Sequence, residues 1–170
     1  NTVRASIMGG ADRPASPDDM ERMDHMVDEA MAEGAFGFST GLVYAPACFA
    51  DRAELTALCR TAARHGGLFT THMRSEGEGL LEAIEEVIGV AREASLPLQI
   101  SHLKTAGEKN WNKIDAAFRL IEEAHAAGQD VTCDRYPYIA SNTHLSALLP
   151  DWVHNGQTED KIATLHDPAA

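Results

Sequence analysis

The sequence predicts an α/β fold built on a parallel sheet, and three observations carry that expectation. Short apolar runs recur at Ala35–Ser39, Leu68–His72, Leu98–His102 and Asp130–Asp134, their starts roughly 30–33 residues apart, the length of one strand–helix unit. Between them lie segments whose apolar residues return every three or four positions, the period of an amphipathic helix. The runs lack clean polar alternation, as parallel strands covered on both faces should. One more run, Thr2–Met8, reads as a leading strand, which gives about five strands in all.

Each helix has its own start and stop. Ser16-Pro17-Asp18-Asp19 supplies an N-cap, a proline at the first helical position and early acids; Met20, Met23, Val27 and Met31 then share a core-facing side up to Gly34. Asp51 with Glu54 forms a capping box for the next helix, with Leu55, Leu58 and Ala62 inward and Gly66 at the end. Leu80, Leu81, Ile84, Val87, Ile88 and Ala91 line a third, stopped before Pro97. Trp111, Ile114, Phe118 and Ile121 line a fourth, stopped at Gly128. After Pro137 the rhythm changes: residues 139–157 are loop-like and Glu159–His166 reads as a short helix.

Composition narrows the function classes. The 170 residues include 14 Lys+Arg against 26 Asp+Glu, a formal charge of −12. Nucleic acids and anionic membranes are recognised by clustered cations, so neither is an expected partner. Hydrophobic residues make up 44%, enough for a sizeable core, yet no apolar run approaches the roughly 18–20 residues of a membrane span. Cys48, Cys59 and Cys133 are odd in number and widely spaced, neither a disulfide framework nor a zinc knuckle, so a reducing cytoplasm is expected. The chain opens Asn-Thr-Val-Arg, without an initiator Met or a signal-peptide pattern, and is expected to be a piece of a longer protein.

A parallel α/β sheet closes as an open doubly wound sheet or as a (β/α)8 barrel. No GxGxxG follows any strand, so the dinucleotide fingerprint is missing. In either closure the C-terminal strand ends carry the site. Those ends read Ser39-Thr40-Gly41-Leu42-Val43-Tyr44, Thr70-Thr71-His72-Met73-Arg74, Ser101-His102-Leu103-Lys104 and Asp134-Arg135-Tyr136-Pro137-Tyr138. His72 and His102 each end a strand after a hydroxyl residue, one unit apart. Adjacent strands would present two imidazoles side by side, suited to zinc; the competing reading is that each is a satisfied histidine at a strand end, or a general base. Arg74 and Lys104 each lie two residues beyond a histidine, on the same side of the strand. They suit a substrate carboxylate, or, for Arg74, a salt bridge to Glu76, Glu78 or Asp134. Tyr44 either donates to a developing oxyanion or packs on Pro46, and Tyr136 and Tyr138 face the site mouth or pack.

The segments GAFGFSTGLVY, TTHMRSEGEGLLEAIEE, SHLKTAGEKNW and DVTCDRYPY, in this order, resemble the D-aminoacylases, the N-acyl-D-amino-acid deacylases of the amidohydrolase superfamily. The resemblance runs from Asn1 to about Leu149. It implies a metal-dependent hydrolase with one or two zinc ions on a distorted (β/α)8 TIM barrel. Residues 1–138 would be the central part of that barrel, truncated at both ends, and 139–170 the start of a helical insertion that acts as a lid. By motif, His72 and His102 match two metal ligands, Tyr44 the carbonyl-polarising tyrosine, and Lys104 and Tyr136 the carboxylate side of the substrate. Arg74 belongs to the motif and is grouped with the substrate-binding residues. The family's upstream His-x-His and Cys, and its downstream general-base Asp, have no counterpart here, so the chain alone is expected to be inactive. The implied substrate is a small N-acyl-D-amino acid. An amidohydrolase acting on a cyclic amide (a dihydropyrimidine or a hydantoin) and a non-catalytic relative are the alternatives. An unclosed barrel would also expose strand edges and an apolar inner surface, through which copies could associate.

Overall fold

The computed structural model describes residues 1–145, Val153 and 158–166. Within them the predicted repeat is realised as a four-stranded parallel sheet: β1 (Gly37–Gly41), β2 (Leu68–His72), β3 (Leu98–Ile100) and β4 (Val131–Cys133), in that spatial order. Helices α2 (Pro17–Ala32), α3 (Arg52–Arg64), α4 (Leu80–Ala94) and α5 (Ile114–Ala126) alternate with the strands, α1 (Thr2–Met8) precedes them and α6 (Thr158–His166) follows. The last agrees with the expected terminal helix. The loop expected at 139–157 is irregular over 139–145, and its remainder, Val153 aside, lies outside the described residues.

Thr2–Met8 is the clearest departure, a helix where a strand was expected. Its apolar residues Val3 and Ile7 lie four apart, as do the buried Arg4 and Met8, and this spacing gathers each pair on one helical face rather than alternating across a strand. Inside, the Arg4 guanidinium meets the Glu54 carboxylate, both buried, and donates to the Arg13 carbonyl at 2.6 Å. The pair pins α1 to α3. Removing one partner would strand the other charge, a loss of about 3–5 kcal/mol. It also alters the expected capping box: the Asp51 side chain accepts from the Glu54 backbone N–H at 2.8 Å, but the Glu54 carboxylate serves Arg4. The box at α2 is complete, Ser16 and Asp19 each bonding the other's backbone N–H. Gly66 and Gly128, expected to end α3 and α5, have φ of 69° and 86°, a conformation that glycine adopts without steric cost.

The strand register explains why one sheet face is core and the other is not. Phe38, Phe69, Leu98 and Val131 form one row across the sheet, and Thr40, Thr71, Ile100 and Cys133 another. Phe69, Leu98, Thr71 and Ile100 are fully or almost fully buried against the helices with Leu55, Leu58, Ile84 and Val87. The intervening row on the opposite face is Ser39, Thr70, Gln99 and Thr132, partly or fully exposed. Burial on both faces was expected; only the helix face is buried, and the open face is polar rather than apolar in this row. In α5 the expected line also shifts. Ala117, Ile121 and Ala124 face the core, while Phe118 is exposed and Trp111 stands exposed in a 3₁₀ turn, Glu108–Lys113, before the helix.

Candidate active site

The open face continues upward from its polar row to Gly41 and His72, which are register partners at the C-terminal ends of β1 and β2. The ladder runs one bond further, Leu42 N–H to His72 carbonyl at 2.8 Å, so the loop after β1 leaves beside His72. Gly41 is needed there: a Cβ on it would lie 2.9 Å from the Tyr44 ring. The Tyr44 amide bonds back to the Gly41 carbonyl at 3.0 Å, and the ring folds over the strand end with its hydroxyl 2.8 Å from Thr143 Oγ1.

β3 ends at Ile100, two residues sooner than expected, and this shortening aims the second histidine. His102 has φ of 41°, a left-handed conformation uncommon for a residue with a side chain. Asp134, at the end of β4, accepts the His102 backbone N–H at 2.7 Å, and its other carboxylate oxygen takes Gln99 Nε2 at 2.9 Å. So held, the His102 ring reaches across to His72. The ring centroids are 4.4 Å apart, and Nδ1 of His72 and Nε2 of His102 face each other within bonding contact. Burial, then the neighbouring His102, holds the His72 pKa below the ordinary histidine value, which favours the neutral form that ligates metals.

Two carboxylates not expected among the site residues complete the surroundings. Asp134 sets the His102 turn, and Glu76 Oε1 lies 2.7 Å from His102 Nδ1. Glu76 also pairs with the Lys104 ammonium, which is 2.9 Å from the same Nδ1 and 5.3 Å above the Tyr136 ring. The SEG of the Arg74-Ser75-Glu76-Gly77 run was the available signal, a charged residue beside a strand-end histidine. Tyr136 stands 6.2 Å from the His102 ring, centroid to centroid, and 6.4 Å from Tyr138.

His72, His102, Tyr44, Lys104, Tyr136 and Arg74 line one cleft of about 390 Å³, with Ser141, Asn142 and Thr143 along its rim. His72, His102, Lys104 and Tyr136 contact one another in turn, while the Tyr44 hydroxyl is bonded to Thr143. The Arg74 guanidinium is already paired with a carboxylate of the chain itself. Its Nε and Nη2 grip both Glu86 oxygens at 3.0 Å, and its Nη1 and Nη2 donate to the Cys48 and Ala50 carbonyls at 2.6 and 2.9 Å. These contacts form a clamp between α4 and the loop before α3. Its carboxylate is Glu86, not Glu76, Glu78 or Asp134, because the side chain turns back over the helix face.

The donor chemistry suits zinc as far as it goes. Two imidazole nitrogens converge, one of them backed by a carboxylate, an arrangement that zinc-binding histidines use. Among the described residues no group of three or more His, Cys, Asp or Glu side chains stands close enough to hold a metal ion. These residues can therefore supply two ligands, and a four-coordinate ion needs others.

Among the described residues no helix is long and apolar enough to cross a membrane. No family model matches the chain. It is similar to the D-aminoacylase of Alcaligenes xylosoxydans xylosoxydans, 42% identical over 145 residues, which cover 85% of this chain and 30% of that protein. The fold superimposes on a D-aminoacylase crystal structure described as defining a novel subset of amidohydrolases, with a TM-score of 0.78 at 42% identity, covering 81% of this chain and 29% of that one. It also matches the N-acyl-D-glutamate deacylase of Bordetella bronchiseptica, solved with zinc and a phosphonate mimic of the tetrahedral intermediate, with a TM-score of 0.77 at 35% identity, covering 80% and 29%. The chain thus spans about 30% of the length of the relatives it matches. Sequence and fold together liken this chain to part of the D-aminoacylases, described as a subset of the amidohydrolases.

Proposed function

We propose that the full-length protein containing this chain hydrolyses the amide bond of N-acyl-D-amino acids, releasing a carboxylate and a free D-amino acid. The observation that carries the proposal is the cleft in which His72, His102, Tyr44, Lys104 and Tyr136 meet at the strand ends. Its support from outside is the similarity to relatives named as D-aminoacylase and N-acyl-D-glutamate deacylase.

His72 Nδ1 and His102 Nε2 would hold zinc, with the remaining ligands drawn from the flanking sequence of the longer protein. Bound zinc supplies a Lewis acid for the scissile carbonyl and an acidified water. Tyr44 would donate a hydrogen bond from its hydroxyl to the carbonyl oxygen as negative charge develops there, exchanging its Thr143 partner for the substrate. The Lys104 ammonium and the Tyr136 hydroxyl would receive the α-carboxylate. Holding the α-carboxylate on one side and the amide on the other orients the α-carbon, and a third contact, with the side chain or the α-hydrogen, would select the D-enantiomer. The 139–170 segment is the start of a lid in this reading, since Ser141, Asn142 and Thr143 already rim the cleft. A cytoplasmic location fits the odd number and wide spacing of Cys48, Cys59 and Cys133.

The test is hydrolysis of a panel of N-acetyl-D-amino acids by the full-length protein, with their L-enantiomers and a hydantoin as controls, before and after a chelator. D-selective cleavage that chelation abolishes and zinc restores is expected. Cleavage that survives complete metal removal, or a preference for the cyclic amide, would overturn the proposal.

A further inference from the structure

We propose that Glu76 is a positioning residue that sets the tautomer of His102 against the pull of Lys104, and so keeps a nitrogen lone pair aimed at the metal. The inference rests on His102 being a zinc ligand, as proposed above.

The chemistry of the three groups forces a choice. A neutral imidazole carries one ring proton. His102 Nδ1 has two close neighbours, Glu76 Oε1 at 2.7 Å and Lys104 Nζ at 2.9 Å. A carboxylate only accepts hydrogen bonds and an ammonium only donates them. If Nδ1 bonds Glu76, it carries the proton, and Nε2 presents a lone pair toward His72. If Nδ1 bonds Lys104, it must be bare; the proton then sits on Nε2 and blocks ligation. Glu76 favours the first state twice over, by accepting from Nδ1 and by engaging the Lys104 ammonium itself.

The fold holds Glu76 to this task. Its carbonyl accepts the Ala106 amide at 2.7 Å, which ties the loop after β2 to the loop after β3, and the Ser75 hydroxyl takes the Gly77 amide at 3.2 Å, tightening the turn. A substrate carboxylate that draws Lys104 away would leave Glu76 wholly on His102, so substrate and metal should support each other at this residue.

The test measures zinc affinity of the full-length protein by competition with a chromophoric chelator, with no substrate present. Glu76→Ala should weaken zinc binding about 10–100-fold, the usual effect of removing a carboxylate behind a ligating histidine. Lys104→Met should leave affinity within about threefold of the parent. The double variant should recover most of what Glu76→Ala loses, because the competing donor is gone; a residue that merely supported the loop would give no such rescue. If Glu76→Ala does not fold, Glu76→Gln replaces it. Its amide oxygen still accepts from Nδ1 but no longer neutralises Lys104, so a smaller loss, again rescued by Lys104→Met, is expected. Unchanged affinity in the Glu76 variants, or a double variant as weak as the single, refutes the inference while leaving the ligand reading intact. Zinc binding unaffected by both His72→Ala and His102→Ala removes the ligand reading, and this inference with it.

Discussion

Replacing Arg74 by alanine separates the clamp seen here from the anion-binding role suggested by its place in the motif. The guanidinium is half-buried and makes four contacts: two with Glu86, and one each with the carbonyls of Cys48 and Ala50. Hydrogen bonds from a charged donor contribute about 1.5–3 kcal/mol each, and partial exposure favours the lower figure for the two carbonyl bonds. The Glu86 pair, partly screened by solvent, adds about 0–1 kcal/mol. Because the contacts share one side chain and are not additive, the expected loss is about 2–4 kcal/mol. It should be concentrated where the clamp lies. In hydrogen-exchange mass spectrometry of the full-length protein, segments covering Tyr44–Asp51 and the start of α4 should exchange roughly 30- to 1,000-fold faster, at tenfold per 1.4 kcal/mol. Arg74→Lys should recover little, since an ammonium cannot reproduce the fork. Unchanged protection together with a large rise in KM would refute the clamp and return Arg74 to the substrate.

Other outcomes follow from the same geometry. Ser16→Ala, which removes the cap of α2, should cost about 1 kcal/mol in urea denaturation. Hydrogen bonds from Arg13 and then Ser16 hold the Asp19 carboxyl well below the usual carboxylate range. Its stabilisation is therefore complete above the unfolded value near 3.9 and is lost as pH falls through the lower folded value, so the stability gap between the parent and Asp19→Asn should shrink between about pH 5 and pH 2. Gly37→Ala would put a Cβ 2.1 Å from the Leu68 carbonyl oxygen, which cannot move without unpairing β1 from β2. A loss of about 3 kcal/mol, at the upper end for overpacking, should appear in thermal unfolding. Tyr44→Phe should lower kcat about 10²–10³-fold with little change in KM, and steady-state kinetics on an N-acetyl-D-amino acid will show whether it does.

Among the described residues, the repeat of apolar runs and helix stops was enough to place the four strands and five of the six α-helices, because each βα unit carries its own punctuation. Leu68–His72 was legible to the residue. Thr2–Met8 was not, since seven residues hold too few turns to separate a helical period from a strand, and its burial depends on a partner, Glu54, fifty residues away. The shortened β3 was hidden for a related reason: His102 takes its left-handed turn because Asp134 waits at the end of the next strand to accept its amide. The candidate cleft was legible as residue types at strand ends, and His72, His102, Tyr44, Lys104 and Tyr136 all line it. Spacing says nothing about where a long side chain turns. Arg74 shares its offset from a histidine with Lys104, yet one folds back onto α4 and the other stays over the Tyr136 ring.

In the proposed site His72 and His102 hold one zinc ion between them. Anomalous diffraction at the zinc edge from crystals of the full-length protein grown with zinc tests it most directly. The expected result is a peak about 2.0–2.1 Å from both His72 Nδ1 and His102 Nε2. A zinc-dependent, active protein whose anomalous peaks lie away from both nitrogens would contradict it.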